Sequence, residues 1–292
     1  MPKILVNSLD HYYEQTGEGP ALVLIHGAFG DLHTWDAQWQ FFAGRCRLLR
    51  YDLRGHGRTG PSDLQHYTVG TFADDLAGLL DKLDIRYPVI CGQSFGGIVA
   101  QALAARNCMP LRGLILASSM VAIDLTPMDK LLCKVIFPRW AMLLTIRMLN
   151  ARNFTRFSLW LGRLTKGKHF LGTDPATEAY LKQCMYQMDS DEFLKIWDAL
   201  YGFHLLPLGN ITCPTLTLNG EFEPKGMFSH THAILHLVPH ARAELVQTSH
   251  HASNMDNPPA FNQAVLAFLD SIPGFSQDNS HLPSRQLNRH ND

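Results

Sequence analysis

The chain has 292 residues, of which 46% are hydrophobic and 10% aromatic, enough apolar material for a packed core. Its 25 basic and 26 acidic residues give a net charge of −1 with no long block of one sign, which argues against a nucleic-acid partner. None of the six cysteines stands in a C-x-x-C pair or in a Cys/His cluster with zinc spacing, so we expect free thiols and no metal site. The N-terminus has no apolar signal region and no uncharged stretch approaches the length of a membrane span. We therefore expect a cytoplasmic protein without stable membrane insertion.

Strands and helices alternate over the first 120 residues. Two short strands are predicted at 3–7 and 11–16, followed by a continuous apolar run, Ala21–Ile25, typical of a strand covered on both faces. Further strands are predicted at Arg47–Tyr51 and 111–117, with an amphipathic helix at 69–83 between them. This alternation predicts an α/β fold with a mostly parallel central sheet and helices on both faces.

The pattern changes after the strand at 111–117. Residues 121–208 show only helical patterns, rich in Met, Leu, Trp and Phe, with helices predicted at 137–149, 154–164, 174–188 and 191–201. We interpret this stretch as a helical cap inserted into a core formed by residues 1–120 and 209–272. Strands at 213–220 and 243–246 and helices at 226–237 and 258–272 complete the core. Residues 273–292 have too little apolar surface to fold, so we expect a disordered tail.

The most informative stretch is Gly92-Gln-Ser94-Phe-Gly96, which lies between a short apolar run and a small-residue helix. This is a G-x-S-x-G pattern in the strand–turn–helix context of a nucleophile elbow. The glycines allow a turn so tight that a Cβ would collide with neighbouring backbone, and the turn holds the serine in a strained conformation at a helix N-terminus. The pattern predicts Ser94 as a nucleophile.

A serine hydroxyl needs a base to take its proton and a carboxylate to orient that base. Among 15 histidines, the best placed stand at 250 and 251, in the loop between the last predicted strand and the last helix. Placement alone allows either His250 or His251 to serve.

Four segments together resemble the α/β-hydrolase superfamily over residues 3–272. They are His26-Gly27 after a strand, the segment Asp52-Leu-Arg-Gly-His-Gly, the elbow at 92–96, and the late histidine segment at 249–258. The resemblance implies an α/β-hydrolase fold with an inserted cap. It is specific for the superfamily and weakly informative about the substrate.

The resemblance also implies particular triad residues. Alignment of the late segment places His251 on the family histidine and His250 where the family usually has glycine, so His251 is the preferred base. The family acid follows the seventh strand, at the position that Glu223 occupies here. Glu221 and Asp124 are the rival acids, and we expect Glu223 to orient His251.

The resemblance implies an oxyanion hole made of the backbone N–H groups of Ala28 and Phe95. In the same comparison His26 braces the oxyanion loop instead of acting as a base. Arg54 and His56 brace a neighbouring loop and have no chemical role.

Serine at the nucleophile position argues against haloalkane dehalogenases and epoxide hydrolases, which resemble this chain but have aspartate there. We therefore expect cofactor-free acyl transfer on a small hydrophobic ester, or on a related lactone or thioester. The alternatives are an N-acyl-homoserine lactonase, a C–C bond hydrolase, a haloperoxidase-like enzyme and a non-catalytic ligand-binding member of the fold. Among the apolar residues of the insert lie four arginines, Arg139, Arg147, Arg152 and Arg156. Solvation is the commoner explanation for such arginines, and a lipase acting at membrane interfaces is the other.

Overall fold

A computed structural model describes residues 2–136, 138–166 and 172–275. Its eight-stranded sheet has the order β1-β2-β4-β3-β5-β6-β7-β8. The two β1–β2 and β2–β4 pairings are antiparallel, and all other neighbours are parallel. The strands are β1 Lys3–Val6, β2 Leu9–Thr16, β3 Ala21–Ile25, β4 Arg47–Tyr51, β5 Val89–Gln93, β6 Gly113–Ala117, β7 Thr215–Gly220 and β8 Ala241–Val246.

Helices cover both faces of this sheet. The helices are α1 Asp36–Phe42, α2 Val69–Lys82, α3 Phe95–Ala105, α4 Pro127–Leu131, α5 Arg139–Lys166, α6 Pro175–Gln187, α7 Ser190–Tyr201, α8 Lys225–Leu237, α9 Ser253–Asp256 and α10 Pro258–Asp270. Short 3₁₀ turns precede α1 at Leu32–Trp35 and β7 at Leu208–Asn210, and a π turn follows α4 at Leu132–Ile136.

The central strands divide the apolar core between the two faces. Alternate residues of β3 face opposite sides, so Leu22 and Leu24 pack with α1 and α10, whereas Val23 and Ile25 pack with α2 and α3. All five β3 residues are buried, as the uninterrupted apolar run predicts for a strand covered on both sides. The predicted α/β fold with a mostly parallel sheet is confirmed.

Between β6 and β7 the described residues form helices and turns but no strand. The residues from Val121 to Leu208 are called the insert below. Asn150, at φ 60° and ψ 167°, interrupts α5, so its two halves are separate helical segments. The interruption lies between the helices predicted at 137–149 and 154–164. One end of the insert therefore follows the carboxyl end of β6, and the other leads through the 3₁₀ turn at Leu208–Asn210 to the amino end of β7.

The folded chain extends beyond the predicted boundary at residue 272. Phe275 is buried and packs with Phe268 and Ile272 against the α10 side of the sheet. The tail prediction was wrong for residues 273–275, because one aromatic side chain gives this short turn enough apolar area to dock. The remainder of the predicted disordered tail, 276–292, lies outside the described residues.

Candidate active site

Ser94 lies in the tight turn that joins β5 to α3. Its backbone has φ 51° and ψ −113°, a conformation that L residues rarely adopt. A Cβ added at Gly92 would collide with the Gly96 carbonyl, and one at Gly96 would collide with the Ile25 carbonyl. The Ser94 N–H donates to the Ala117 carbonyl on β6 at 2.8 Å, which fixes the turn to the neighbouring strand. The glycines thus allow the close packing that holds the strained serine.

His251 lies in the loop between β8 and α9. Its Nε2 is 3.0 Å from the Ser94 Oγ. The main-chain carbonyl of His251 accepts from the Gln93 side-chain amide at 3.2 Å, and the preceding N–H, of His250, donates to Asp256 at 2.9 Å. These contacts hold the loop against the end of β5 and fix where the imidazole stands.

Glu223 follows β7, and its side chain is wholly shielded from solvent. One carboxylate oxygen accepts from His251 Nδ1 at 2.7 Å and the other accepts from the Asn219 side-chain amide at 2.6 Å. Asn219 in turn accepts from the Thr231 hydroxyl of α8 at 2.5 Å. Because a carboxylate only accepts, the His251 proton sits on Nδ1, and the Nε2 lone pair faces the serine.

The structure gives His250 different surroundings from those of its neighbour. Its ring lies 5.5 Å from the Phe222 ring, measured between centroids. Its Nδ1 is buried without a hydrogen-bond partner in the described part of the chain. Of the two candidate histidines, the structure brings only His251 to the Ser94 hydroxyl.

The rival acids also lie elsewhere. Glu221 is exposed and accepts from the Thr248 N–H at 2.8 Å, which fastens two loops together. Asp124 stands 3.7 Å from the exposed ring of His204. Glu223 is the carboxylate that the structure brings to His251.

The two backbone donors predicted for the oxyanion are the N–H of Ala28, in the loop after β3, and that of Phe95, the first residue of α3. Neither the Ala28 N–H nor the Phe95 N–H donates to an acceptor within residues 2–136, 138–166 and 172–275. Phe29, just after the first donor, has a positive φ of 64° and donates its own N–H to His56 Nε2 at 3.1 Å. The loop at Ala28 is therefore held in a strained conformation by a side chain from another loop.

Two buried histidines brace this region through both ring nitrogens. His26 Nδ1 donates to the Gly27 carbonyl at 2.8 Å and its Nε2 accepts from the Leu53 N–H at 3.0 Å. His56 Nδ1 donates to the Arg54 carbonyl at 2.8 Å. Burial, reinforced by the nearby ring of His26, lowers the pKa of His56 to about 3. His26 thus joins the loops that follow β3 and β4, and His56 holds the loop at Ala28 through its contact with Phe29.

Sequence reasoning missed the two residues behind the acid, Asn219 and Thr231. Both are buried, and Asn219 is the single amide in the otherwise apolar and hydroxyl-bearing β7 run, four positions before Glu223. A polar residue near the carboxyl end of a parallel strand was the available signal. Thr231 gave none, because its partner lies on a different element.

The insert contacts the core beside the oxyanion loop. Tyr180 of α6 donates to the Asp31 carboxylate at 2.6 Å, and burial, reinforced by this hydrogen bond, raises the pKa of the tyrosine. Phe193 and Trp197 of α7 pack on Phe29, with ring centroids 4.5 and 5.4 Å away. An apolar aromatic cluster therefore adjoins the Ala28 position.

Two further features of the described residues bear on ligands. In residues 2–136, 138–166 and 172–275, no three or more His, Cys, Asp or Glu side chains are grouped so that they could hold a metal ion. No helix in the same ranges combines the length and hydropathy needed to cross a bilayer.

Comparison with known proteins agrees with this fold and with a hydrolytic site. A model of the alpha/beta hydrolase family matches residues 22–264, and the chain therefore belongs to that family. The 3-oxoadipate enol-lactonase 2 of Acinetobacter baylyi is 26% identical over 251 residues, covering 86% of this chain and 88% of that enzyme.

Solved structures show the same relationship. An enol-lactonase from Burkholderia xenovorans LB400 superimposes with a TM-score of 0.77 at 25% identity, covering 92% of this chain and all of that one. A thermophilic esterase from Thermogutta terrifontis, at 23% identity, has the same fold with a TM-score of 0.77, covering 93% and 98% of the two chains. The relatives are hydrolases, which supports hydrolase activity for this protein.

Proposed function

We propose that this protein is a serine hydrolase that cleaves a carboxylic ester, or a related lactone or thioester, of a small hydrophobic substrate through an acyl-enzyme on Ser94. The observation that carries the proposal is the continuous hydrogen-bonded chain from Ser94 through His251 to the shielded Glu223, with distances of 3.0 and 2.7 Å. A serine, a neutral imidazole and a carboxylate in this order can remove a proton from the hydroxyl as it attacks a carbonyl carbon.

Acylation follows from this geometry. His251 Nε2 takes the Ser94 proton as Oγ bonds to the carbonyl carbon, and Glu223 stabilises the imidazolium that results. The carbonyl oxygen becomes an oxyanion, to which the Ala28 and Phe95 N–H groups donate. The histidine then gives its proton to the leaving alcohol, and the carbon–oxygen bond breaks to leave an ester on Ser94.

Deacylation repeats these steps with water as the nucleophile. His251 removes a proton from the water, the same donors stabilise the second oxyanion, and Ser94 leaves with the proton returned by the imidazole. The side chain of His251 is about a third exposed, at 32%, whereas that of Glu223 is not exposed at all. Water can therefore reach the base while the acid stays shielded.

The hydrophobic part of the substrate is assigned from the insert, which we propose acts as a cap on the core. Phe29, the residue after the proposed donor Ala28, forms an aromatic cluster with Phe193 and Trp197 of the insert. An apolar acyl or alcohol group placed there loses contact with water while its carbonyl faces the donors.

The comparisons also favour a lactone, which is a cyclic ester, as the substrate. Two of the relatives described above are enol-lactonases, at 26% and 25% identity. A lactone is opened by the same attack on its carbonyl, and its alcohol remains tethered to the acyl group.

The test compares p-nitrophenyl esters from acetate to palmitate, together with a simple lactone, for wild type and Ser94→Ala. Turnover that disappears in Ser94→Ala, with an optimum in chain length, would support the proposal. Ser118→Ala is the matched control, since this buried serine at the end of β6 has a hydroxyl without a partner in the described chain. Ester turnover that persists in Ser94→Ala would refute the assignment.

A further inference from the structure

The longest helix of the insert turns apolar side chains to solvent along much of its length. In its first half Trp140, Leu144 and Met148 are spaced by four residues and are 70%, 51% and 78% exposed. In its second half Trp160 and Leu164 are 58% and 65% exposed. Residues three or four apart share one side of a helix, so each half presents an apolar stripe to water.

The fold does not need these stripes. The opposite sides of the same helix already pack into the core through Ile146, Ala151, Phe154 and Leu159, all buried. An amphipathic helix normally turns one apolar stripe inward and a polar side outward. An outward stripe on each half, each with one tryptophan, indicates that another apolar phase covers them.

Positive charge accompanies the stripes. Residues 127–166 contain eight Lys or Arg and one acidic residue, Asp129, in a chain whose total charge is −1. Arg152, Arg156 and Lys182 of the insert all approach the Tyr186 ring, with cation-to-centroid distances of 5.5, 6.0 and 5.9 Å. Arg139 and Arg163 of the segment are ion-paired with Asp198 and Glu178 from other helices. The exposed Arg147, Arg152 and Arg156 carry positive charge beside the exposed apolar side chains.

We propose that this basic apolar face, the exposed Trp140, Leu144, Met148, Trp160 and Leu164 with the arginines beside them, docks the protein on the surface of a bilayer containing anionic phospholipids. Tryptophan favours the boundary between headgroups and acyl chains, where one part of the ring is apolar and the N–H stays hydrated. Lys and Arg next to such residues bind anionic headgroups. The protein lies on the membrane by this face, and no helix of residues 2–136, 138–166 and 172–275 crosses the bilayer.

Charge favours a lipid surface over a second copy of the chain. A two-fold dimer through this face would place the same basic segment against itself, because a symmetric interface uses one patch on both subunits. Like charges brought together oppose association. An anionic bilayer matches both the charge and the apolar stripes.

The experiment measures co-sedimentation of the whole protein with vesicles. One set contains phosphatidylglycerol mixed into phosphatidylcholine, and the other contains phosphatidylcholine alone. The wild-type partition coefficient should be about tenfold or more higher for the anionic vesicles, and concentrated salt should remove that difference as the Debye length shortens to about 3 Å.

Two sets of variants test which side chains are responsible. The triple variant Trp140→Ser, Met148→Ser, Trp160→Ser should bind anionic vesicles about tenfold or more weakly. The control, Leu5→Ser with Leu245→Ser, removes leucines that are 55% and 52% exposed on β1 and β8, and it should bind like wild type. Thermal melting of each variant shows whether it is folded.

Three results would overturn the proposal. They are equal binding to both vesicle types, equal losses in the triple variant and the control, and the absence of vesicle binding by folded wild type. Light scattering during gel filtration adds one more outcome. A dimer that the triple variant disperses, without vesicle binding, would assign the face to self-association. None of these readouts depends on hydrolytic activity.

Discussion

Replacement of Glu223 by glutamine should disable the proposed base by reversing its tautomer. In the native site the two carboxylate oxygens accept from different donors, His251 Nδ1 at 2.7 Å and the Asn219 amide at 2.6 Å. Glutamine offers one oxygen and one NH₂ group, so one of the two donors must face another donor. If the NH₂ group faces the imidazole, the ring moves its proton to Nε2 and can no longer accept from Ser94.

The expected loss in kcat/KM for Glu223→Gln is about 10³–10⁴, equivalent to about 4–5.5 kcal/mol of transition-state stabilisation. One rearrangement could moderate it. Asn219 can flip, presenting its oxygen to the glutamine and its NH₂ group to the Thr231 hydroxyl. Adding Thr231→Val removes the acceptor that the flipped amide needs. Thr231→Val should therefore reduce kcat/KM by a larger factor in the Glu223→Gln background than in wild type.

The assay is steady-state hydrolysis of p-nitrophenyl acetate, with thermal melting to confirm that each variant is folded. Glu221→Gln is the matched control, because this exposed carboxylate only holds the Thr248 N–H and should cost less than about threefold in kcat/KM. Asp124→Asn should behave similarly. A larger loss in either control than in Glu223→Gln would refute the reasoning and move the acid elsewhere.

Two further predictions concern stability. Below pH about 6.5 an unfolded chain protonates His56, whereas burial keeps the folded ring neutral until its pKa of about 3. Between these pH values the unfolded state therefore binds more protons. As the pH is lowered from about 6.5 to about 3, the free energy of unfolding should fall by about 1.4 kcal/mol per pH unit because of this residue. Urea titrations at several pH values should show this slope in wild type and a shallower one in His56→Asn; parallel slopes would contradict it. Tyr180→Phe removes a hydrogen bond to the Asp31 carboxylate and should lower the free energy of unfolding by about 1.5–3 kcal/mol. Tyr87→Phe, at an exposed site, is the control and should have a smaller effect. Equal losses in the two variants would show that the contact with Asp31 does not stabilise the fold.

Local sequence signals predicted the parts of the fold that depend on one segment at a time. Five consecutive apolar residues in β3 predicted a strand buried on both faces, because such a strand has no solvent side. The spacing of Gly92, Ser94 and Gly96 predicted the strained turn, because only glycine avoids the two carbonyl collisions. The resemblance then identified His251 and Glu223 as the residues that the structure brings to the serine.

What sequence could not predict depends on residues far apart along the chain. Asp31 and Tyr180 are 149 positions apart, and no local pattern links a loop carboxylate to a tyrosine on an inserted helix. Thr231 reaches Asn219 because α8 packs beside β7, which is a property of the assembled layers. The docking of Phe275 was missed for a similar reason, since a single aromatic after a polar turn gives no periodic signal.

Labelling with a fluorophosphonate tests the central proposal most directly, because this reagent reacts with a serine only when its hydroxyl is activated. Mass spectrometry of the folded protein should find one adduct per chain, on the peptide that contains Ser94. The adduct should be absent in Ser94→Ala and should form about 10³-fold more slowly in His251→Ala. Failure of folded wild type to react, or equal labelling of Ser94→Ala at another residue, would contradict the proposed nucleophile.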